Sequence, residues 1–177
     1  MDIPEAPHKH ELEDNPLILP VSITMSILAV LVASVTLLGH RAHTEELLLQ
    51  AKASDQWAFY QAKNIRRHED QETADILGLM NPQDREKAEA AREKYLKEGE
   101  RYEADKDQIS DKAKELESER DLYSRRADRF DGGEGLLEVA LVICSMTMLT
   151  DRRLFWYGGM LIGAAGVLLA ITGLFLH

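Results

Sequence analysis

Two carboxylates, Glu134 and Glu138, stand one helical turn apart at the entry of an apolar segment. At spacing i, i+4 they share one face of a helix. An ionisable group inside a membrane-spanning helix is costly and marks function by default. The pair could form a cation-binding ring in an oligomer, or a proton relay. The plainer reading puts both acids at headgroup depth, beside Arg129 or Arg41. Three histidines, His40, His43 and His177, close the first and third apolar segments on one side, and with Glu134 they make a weak metal candidate. Interfacial histidines without a metal are the simpler reading, and no cofactor is expected. His8 and His10 stand among carboxylates in the first sixteen residues, where a solvated tail is again the simpler reading. Cys144 is the only cysteine; it lies in an apolar run and reads as a small hydrophobe. No nucleophile–base pair, phosphate loop or CxxC motif is present, so the chain reads as a non-enzyme.

The elements that must position these groups are apolar segments around a polar middle. Residues 17–39 carry no charge and as a helix would span roughly 35 Å, enough to cross a bilayer. Pro20 falls in the first turn, where it costs little. Residues 133–150 form a second apolar run, just long enough to span if its glycines are included. Residues 154–176 form a third, with Trp156 and Tyr157 at the start, where amphipathic rings favour an interface. Ser22, Ser26, Ala29, Ala33 and Thr36 follow a 4-3-4-3 spacing, and so do Gly159, Gly163, Gly166, Ala170 and Gly173. Small residues on one face let another helix approach closely. The first and third segments are therefore expected to pack on these stripes, or on copies of themselves.

The middle, residues 40–131, reads as a helical hairpin. Ala88, Tyr95, Tyr102, Ile109, Leu116, Tyr123 and Phe130 recur every seventh position, one edge of a coiled-coil seam. The companion row, Arg92, Gly99, Lys106, Ala113, Arg120 and Ala127, is only half apolar. In the first arm, Ala51, Ala58 and Ile65 lie seven apart, with Leu48, Ala62 and Ile76 near the same face. Trp57, Phe59 and Tyr60 point in several directions around that helix. They either cap the hairpin's own core or face another chain. Residues 78–82, containing Gly78, Asn81 and Pro82, form the turn: glycine ends the first arm, and Asn then Pro opens the second. The second arm is longer than the first, which asks for a break or an overhang; a kink or break near Gly99 is the favoured reading. Asp131-Gly132-Gly133 is read as loosening the chain before the second apolar run. Charge pairs such as Glu93 with Lys97, Asp121 with Arg125 and Glu89 with Arg92 lace a solvated face.

Charge narrows the partners. The formal net charge is −10, and no segment is strongly basic, which argues against nucleic acid. Residues 1–16 are acidic and proline-bearing, a disordered tail. Basic residues near the apolar ends are more numerous on the hairpin side, which places the hairpin in the cytoplasm by the positive-inside tendency.

The stretch Ala53-Ser54-Asp55-Gln56-Trp57-Ala58-Phe59-Tyr60-Gln61-Ala62-Lys63 resembles the signature of a bacterial family of membrane proteins catalogued as a domain of unknown function. The resemblance covers nearly the whole chain and implies a bacterial inner-membrane protein. It transfers no catalytic residues. In topology only, the layout is similar to membrane-protein insertases of the YidC type, which have a span, a cytosolic coiled-coil hairpin and two more spans. Bacterial members carry an arginine in a hydrophilic membrane groove, and no basic residue lies inside any apolar run here.

The expected fold is thus an all-α membrane protein: three transmembrane helices with a long extramembrane antiparallel coiled-coil hairpin between the first and second. The expected function is a structural, scaffold or accessory role through the hairpin, as a homo-oligomer or with a partner membrane protein in the lipid bilayer. No small-molecule substrate is indicated. A channel or transport component using Glu134 and Glu138, and an insertase-like factor, are the alternatives.

Overall fold

The computed structural model describes residues 16–79 and 85–176. Among them are three helices and no strand: α1 Ile18–Leu79, α2 Arg85–Thr150 and α3 Arg153–Leu174. The expected all-helical architecture is present. The proposed turn residues Asn81 and Pro82 lie outside the described residues. Glu86 sits in the first turn of α2, where an acid complements the helix dipole.

α2 runs unbroken for 66 residues, through Gly99 and through Gly132 and Gly133. Both expected interruptions are therefore corrected. An interior glycine costs about 1 kcal/mol relative to alanine, too little to end a helix flanked by strong helix formers. Lys97, Glu98, Glu100 and Arg101 surround Gly99 in this way. The surplus of the second arm is an overhang instead. Gly78, one residue from the end of α1, lies against the Arg92 side chain, so the turns of α2 before Arg92 run past the last turn of α1.

The chain divides into two compact units, one holding the described residues up to Thr44 with those from Leu122 onward, the other Glu45–Asp121. In the first unit, Val21, Leu28, Val35 and Ala42 of α1 are buried at seven-residue intervals, with Met25, Val32 and Gly39 packed or buried between them. Leu28, Val35 and Ala42, with Met25 and Val32 packed against them, meet Ala127, Phe130, Leu137, Ala140 and Cys144 of α2 and Ala170 of α3 in one core. Asp151 and Arg152 alone separate α2 from α3, and Asp151 takes a left-handed φ of 50°, which aspartate tolerates better than most residues.

α2 and α3 pack antiparallel through a ladder of layers: Phe130 on Gly173, Gly133 on Ala170, Leu137 on Gly166, Ala140 on Gly163 and Cys144 on Gly159. Here the bare backbones touch. A Cβ on Gly166 would stand 2.8 Å from the Gly133 carbonyl oxygen, and one on Gly133 would stand 2.9 Å from the Gly166 carbonyl oxygen. Approach this close permits Cα–H···O contacts and dense dispersion along the whole interface. Gly133 is thus a packing residue, which is why the helix passes through it.

The small stripe of α3 is wholly buried, as expected of a packing face, but its partner is α2. The stripe of α1 does not meet it. Ser26, Ala29 and Ala33 are exposed and Ser22 half-buried, while Leu28 is the α1 residue that reaches Gly163. Three further hydrogen bonds fix α3 near its ends. Trp156 Nε1 donates to Thr24 Oγ1 at 3.1 Å, and the Arg126 guanidinium donates twice to the Leu176 carbonyl, at 2.6 and 3.1 Å. A cation on the last carbonyls complements the helix dipole.

In the second unit, α1 and α2 also run antiparallel. As the α1 partner advances from Gln50 through Trp57, Lys63 and Arg67, the α2 partner retreats from Arg120 through Glu117 and Asp105 to Glu103. The row Ala88 to Phe130 on α2 is buried or half-buried throughout, as its spacing predicts. On α1 the seam differs from the predicted one. Leu49, Ala53 and Ala74 are buried, and Gln56, Tyr60, Lys63, Arg67, Asp70 and Leu77 are half-buried at the intervening heptad positions. Ala51, Ala58 and Ile65, with Leu48, Ala62 and Ile76, face outward. Three helices, α1, α2 and α3, contain stretches long and apolar enough to cross a membrane.

Candidate functional site

Several polar groups of the first unit line one flank of the α1–α2 pair. Asp131, Glu138 and Ser145 recur every seventh position on α2; His43, Thr36 and Ala29 do so on α1. His43 Nε2 and Asp131 Oδ2 are 3.0 Å apart, both near half-exposed. One heptad further, Thr36 Oγ1 is 2.7 Å from Glu134 Oε1 and 2.9 Å from the Val32 carbonyl. The hydroxyl has one proton, and the shorter contact is to the carboxylate. Glu134 is half-buried there, and its partner is Thr36, not Arg41 or Arg129.

Glu138 is placed differently. It follows Leu137, which packs on Gly166, and precedes Ala140, which packs on Gly163. Gly163 and Gly166 stand near the middle of α3, and Leu28, at the midpoint of residues 17–39, touches Gly163. Glu138 is therefore level with the centre of the apolar helices, about 10 Å along α2 from Asp131. It is exposed on the bundle's side, with no ion pair or hydrogen bond among the described residues. Gly135, on the neighbouring outward face, has open space beside it.

Among the described residues the metal candidates are not assembled. His40 is exposed, His43 faces Asp131, and His177 lies outside the described residues; no group of three metal-ligating side chains forms among the described residues. Cys144 is fully buried against Gly159.

In the second unit the aromatic trio divides. Trp57 Nε1 donates to Glu117 Oε1 at 2.8 Å, and its ring meets Tyr60 edge-on at 5.5 Å. Both are half-buried caps of the hairpin seam, whereas Phe59 is half exposed. Below them the seam is ionic. Lys63 lies between the Tyr102 ring, at 4.8 Å, and the Asp105 carboxylate, at 2.7 Å; Arg67 reaches Glu103 at 3.1 Å. Lys106 bonds Glu103 at 3.0 Å and approaches the Tyr60 ring. The hydrogen bond from Lys63 holds Asp105 below its ordinary range, and that from Lys106, ahead of the charges of Lys106 and Arg67, does the same for Glu103. Glu93 pairs with Lys97 as its spacing predicts, at 2.8 Å, but Asp121 takes Arg120, not Arg125.

The outward face of the same arm carries apolar residues interrupted by the exposed acids Asp55, Glu69 and Glu72. Phe59, Ile65 and Ile76 are each half or more exposed, beside Leu48, Ala51, Ala58 and Ala62. Sequence reasoning located these residues and missed which way they turn. The bonding of Thr36 to Glu134, of Asp131 to His43 and the packing role of Gly133 were not foreseen; the seven-residue spacing shared by Asp131 and Glu138 was the available signal.

The family model described as "Domain of unknown function (DUF4337)" matches residues 18–176, so the chain belongs to that family. No curated protein and no solved structure matches it.

Proposed function

We propose that this member of the DUF4337 family is an integral membrane protein of non-enzymatic, scaffolding function, whose hairpin arm docks another helix. The observation that carries it is the outward apolar row of α1, Ala51, Ala58 and Ile65 with Leu48, Ala62 and Ile76. Seven-residue spacing on an exposed helix face is what a further coiled-coil partner needs. The arm's own seam leaves that row unused.

The membrane reading is supported by exposure around the bundle. Leu19, Ile27 and Val30 on α1, Val142 and Leu149 on α2, and Leu154, Leu161 and Leu168 on α3 all face outward. So large an apolar girdle is unfavourable in water and suits a hydrocarbon surround. α3 spans about 33 Å, close to the thickness of a bilayer's hydrocarbon core. The excess of basic residues near the hairpin end supports a cytoplasmic arm.

The partner helix belongs to another copy of the chain or to a second membrane protein. Photocrosslinkers at Ala58 and Ile65, placed one at a time in cells, give adducts on this reading. The pair Ala58→Glu and Ile65→Asp abolishes adducts formed from Ala62. Absence of adducts from all three positions, with crosslinking intact at a buried control such as Leu49, rules the docking face out.

A further inference from the structure

We propose that the flank formed by Glu138 and the Ser26, Ala29 and Ala33 row receives a membrane-spanning helix of a second protein carrying a lysine or arginine at mid-span. The inference rests on the membrane reading above and goes beyond the hairpin.

Glu138 is level with the centre of the bundle, between the Ala140–Gly163 and Leu137–Gly166 layers, and is exposed without a partner among the described residues. Water would solvate such a group; a hydrocarbon surround does not, and membrane carboxylates normally face a protein partner or a wet cavity. The flank beside it is built for close approach. Thr36 bonds Glu134, one helical turn from Glu138, and Thr36 belongs to the small-residue row of α1. That row remains exposed because α3 packs on the other side of the pair, through its own glycines against α2. Small side chains let a neighbouring backbone come near enough for its long basic side chain to reach the carboxylate. The counter-charge must come from another protein. Residues 17–39, 133–150 and 154–176 contain no lysine or arginine, so a second copy would bring a second carboxylate and no cation. Opposite charges at low dielectric attract strongly and specifically, and like charges repel.

The test uses the full chain reconstituted in phosphatidylcholine vesicles, labelled with a donor dye at Thr172→Cys in a Cys144→Ala background. The probe is an acceptor-labelled synthetic spanning helix of leucine and alanine with one central lysine. Two control peptides carry leucine at the centre, or lysine near one end. The expected result is energy transfer at about tenfold lower peptide density for central lysine than for either control. Glu138→Gln, which preserves volume, removes the preference, and Ala29→Leu with Ala33→Leu weakens it. Equal transfer from the three peptides overturns the proposal, as does a preference that survives Glu138→Gln. Transfer between two labelled populations of the chain, lost in Glu138→Gln, overturns it in favour of a second copy. Extraction of the chain by alkaline carbonate overturns the membrane reading together with this one; an integral chain without a lysine preference overturns this one alone.

Discussion

Replacing Gly166 by alanine isolates the cost of backbone contact between α2 and α3. The added Cβ would stand 2.8 Å from the Gly133 carbonyl oxygen, 3.0 Å from Leu136 Cβ and 3.2 Å from Leu137 Cγ. The first neighbour is backbone and cannot rotate away, so the helices must separate by several tenths of an ångström. Separation loosens the adjoining layers, Gly133–Ala170 and Ala140–Gly163, as well. Overpacking of this kind costs about 1–3 kcal/mol. Alanine also gains about 1 kcal/mol of helix propensity over glycine, which would mask part of the loss. Gly158→Ala supplies the control, because a Cβ there meets nothing within 4 Å and takes the same propensity gain on the same helix. The difference between the two variants is then the clash alone, about 1–3 kcal/mol, or roughly 5- to 150-fold in the unfolding equilibrium. Unfolding in mixed detergent, followed by circular dichroism and Trp156 fluorescence, measures it. Gly133→Ala with Gly166→Ala should be non-additive, since each Cβ meets the other residue's carbonyl. Equal stability of Gly166→Ala and Gly158→Ala would refute the close-contact argument.

The other predictions follow from named contacts. Trp57→Phe removes the bond to Glu117 and should destabilise the hairpin by about 0.5–1.5 kcal/mol, read by thermal melts; no change would mean that the indole N–H is equally well served by water. A double-mutant cycle on His43 and Asp131 should give no more than about 1 kcal/mol, because both side chains are near half-exposed. Asp105 and Glu103 have folded pKa values below their unfolded ones, so their contribution is full above the ordinary carboxylate range and is lost as pH falls through the lowered values. The hairpin's melting point should hold from neutral pH to about 5 and fall below about pH 4, by less in Asp105→Asn than in the parent chain. Hydrogen exchange should be faster around Lys63 to Asp70 than around Leu49 and Ala53, since the seam is ionic in the first stretch and apolar in the second.

The sequence by itself determined the helices. Uncharged runs of spanning length, a charged middle rich in helix formers, and the row from Ala88 to Phe130 leave little else. It also determined that Gly159 to Gly173 would be a contact stripe. Tertiary structure decided the phase of α1. Within residues 17–39 nearly every position is apolar, so the seven-residue row from Val21 to Leu49 is invisible as a pattern. Beyond it only Ala53 and Ala74 are buried; the positions between them include half-buried Gln56, Lys63, Arg67 and Asp70, which no hydrophobic rule selects, while the apolar row that such a rule does select faces outward. Their burial depends on partners thirty or more residues away in the chain, Asp105, Glu103 and Tyr102 among them. The level of Glu138 was hidden for the same reason. Its place along α2 says that it enters an apolar run; only the register of Gly133, Leu137 and Ala140 on the glycines of α3 puts it at the centre of the bundle.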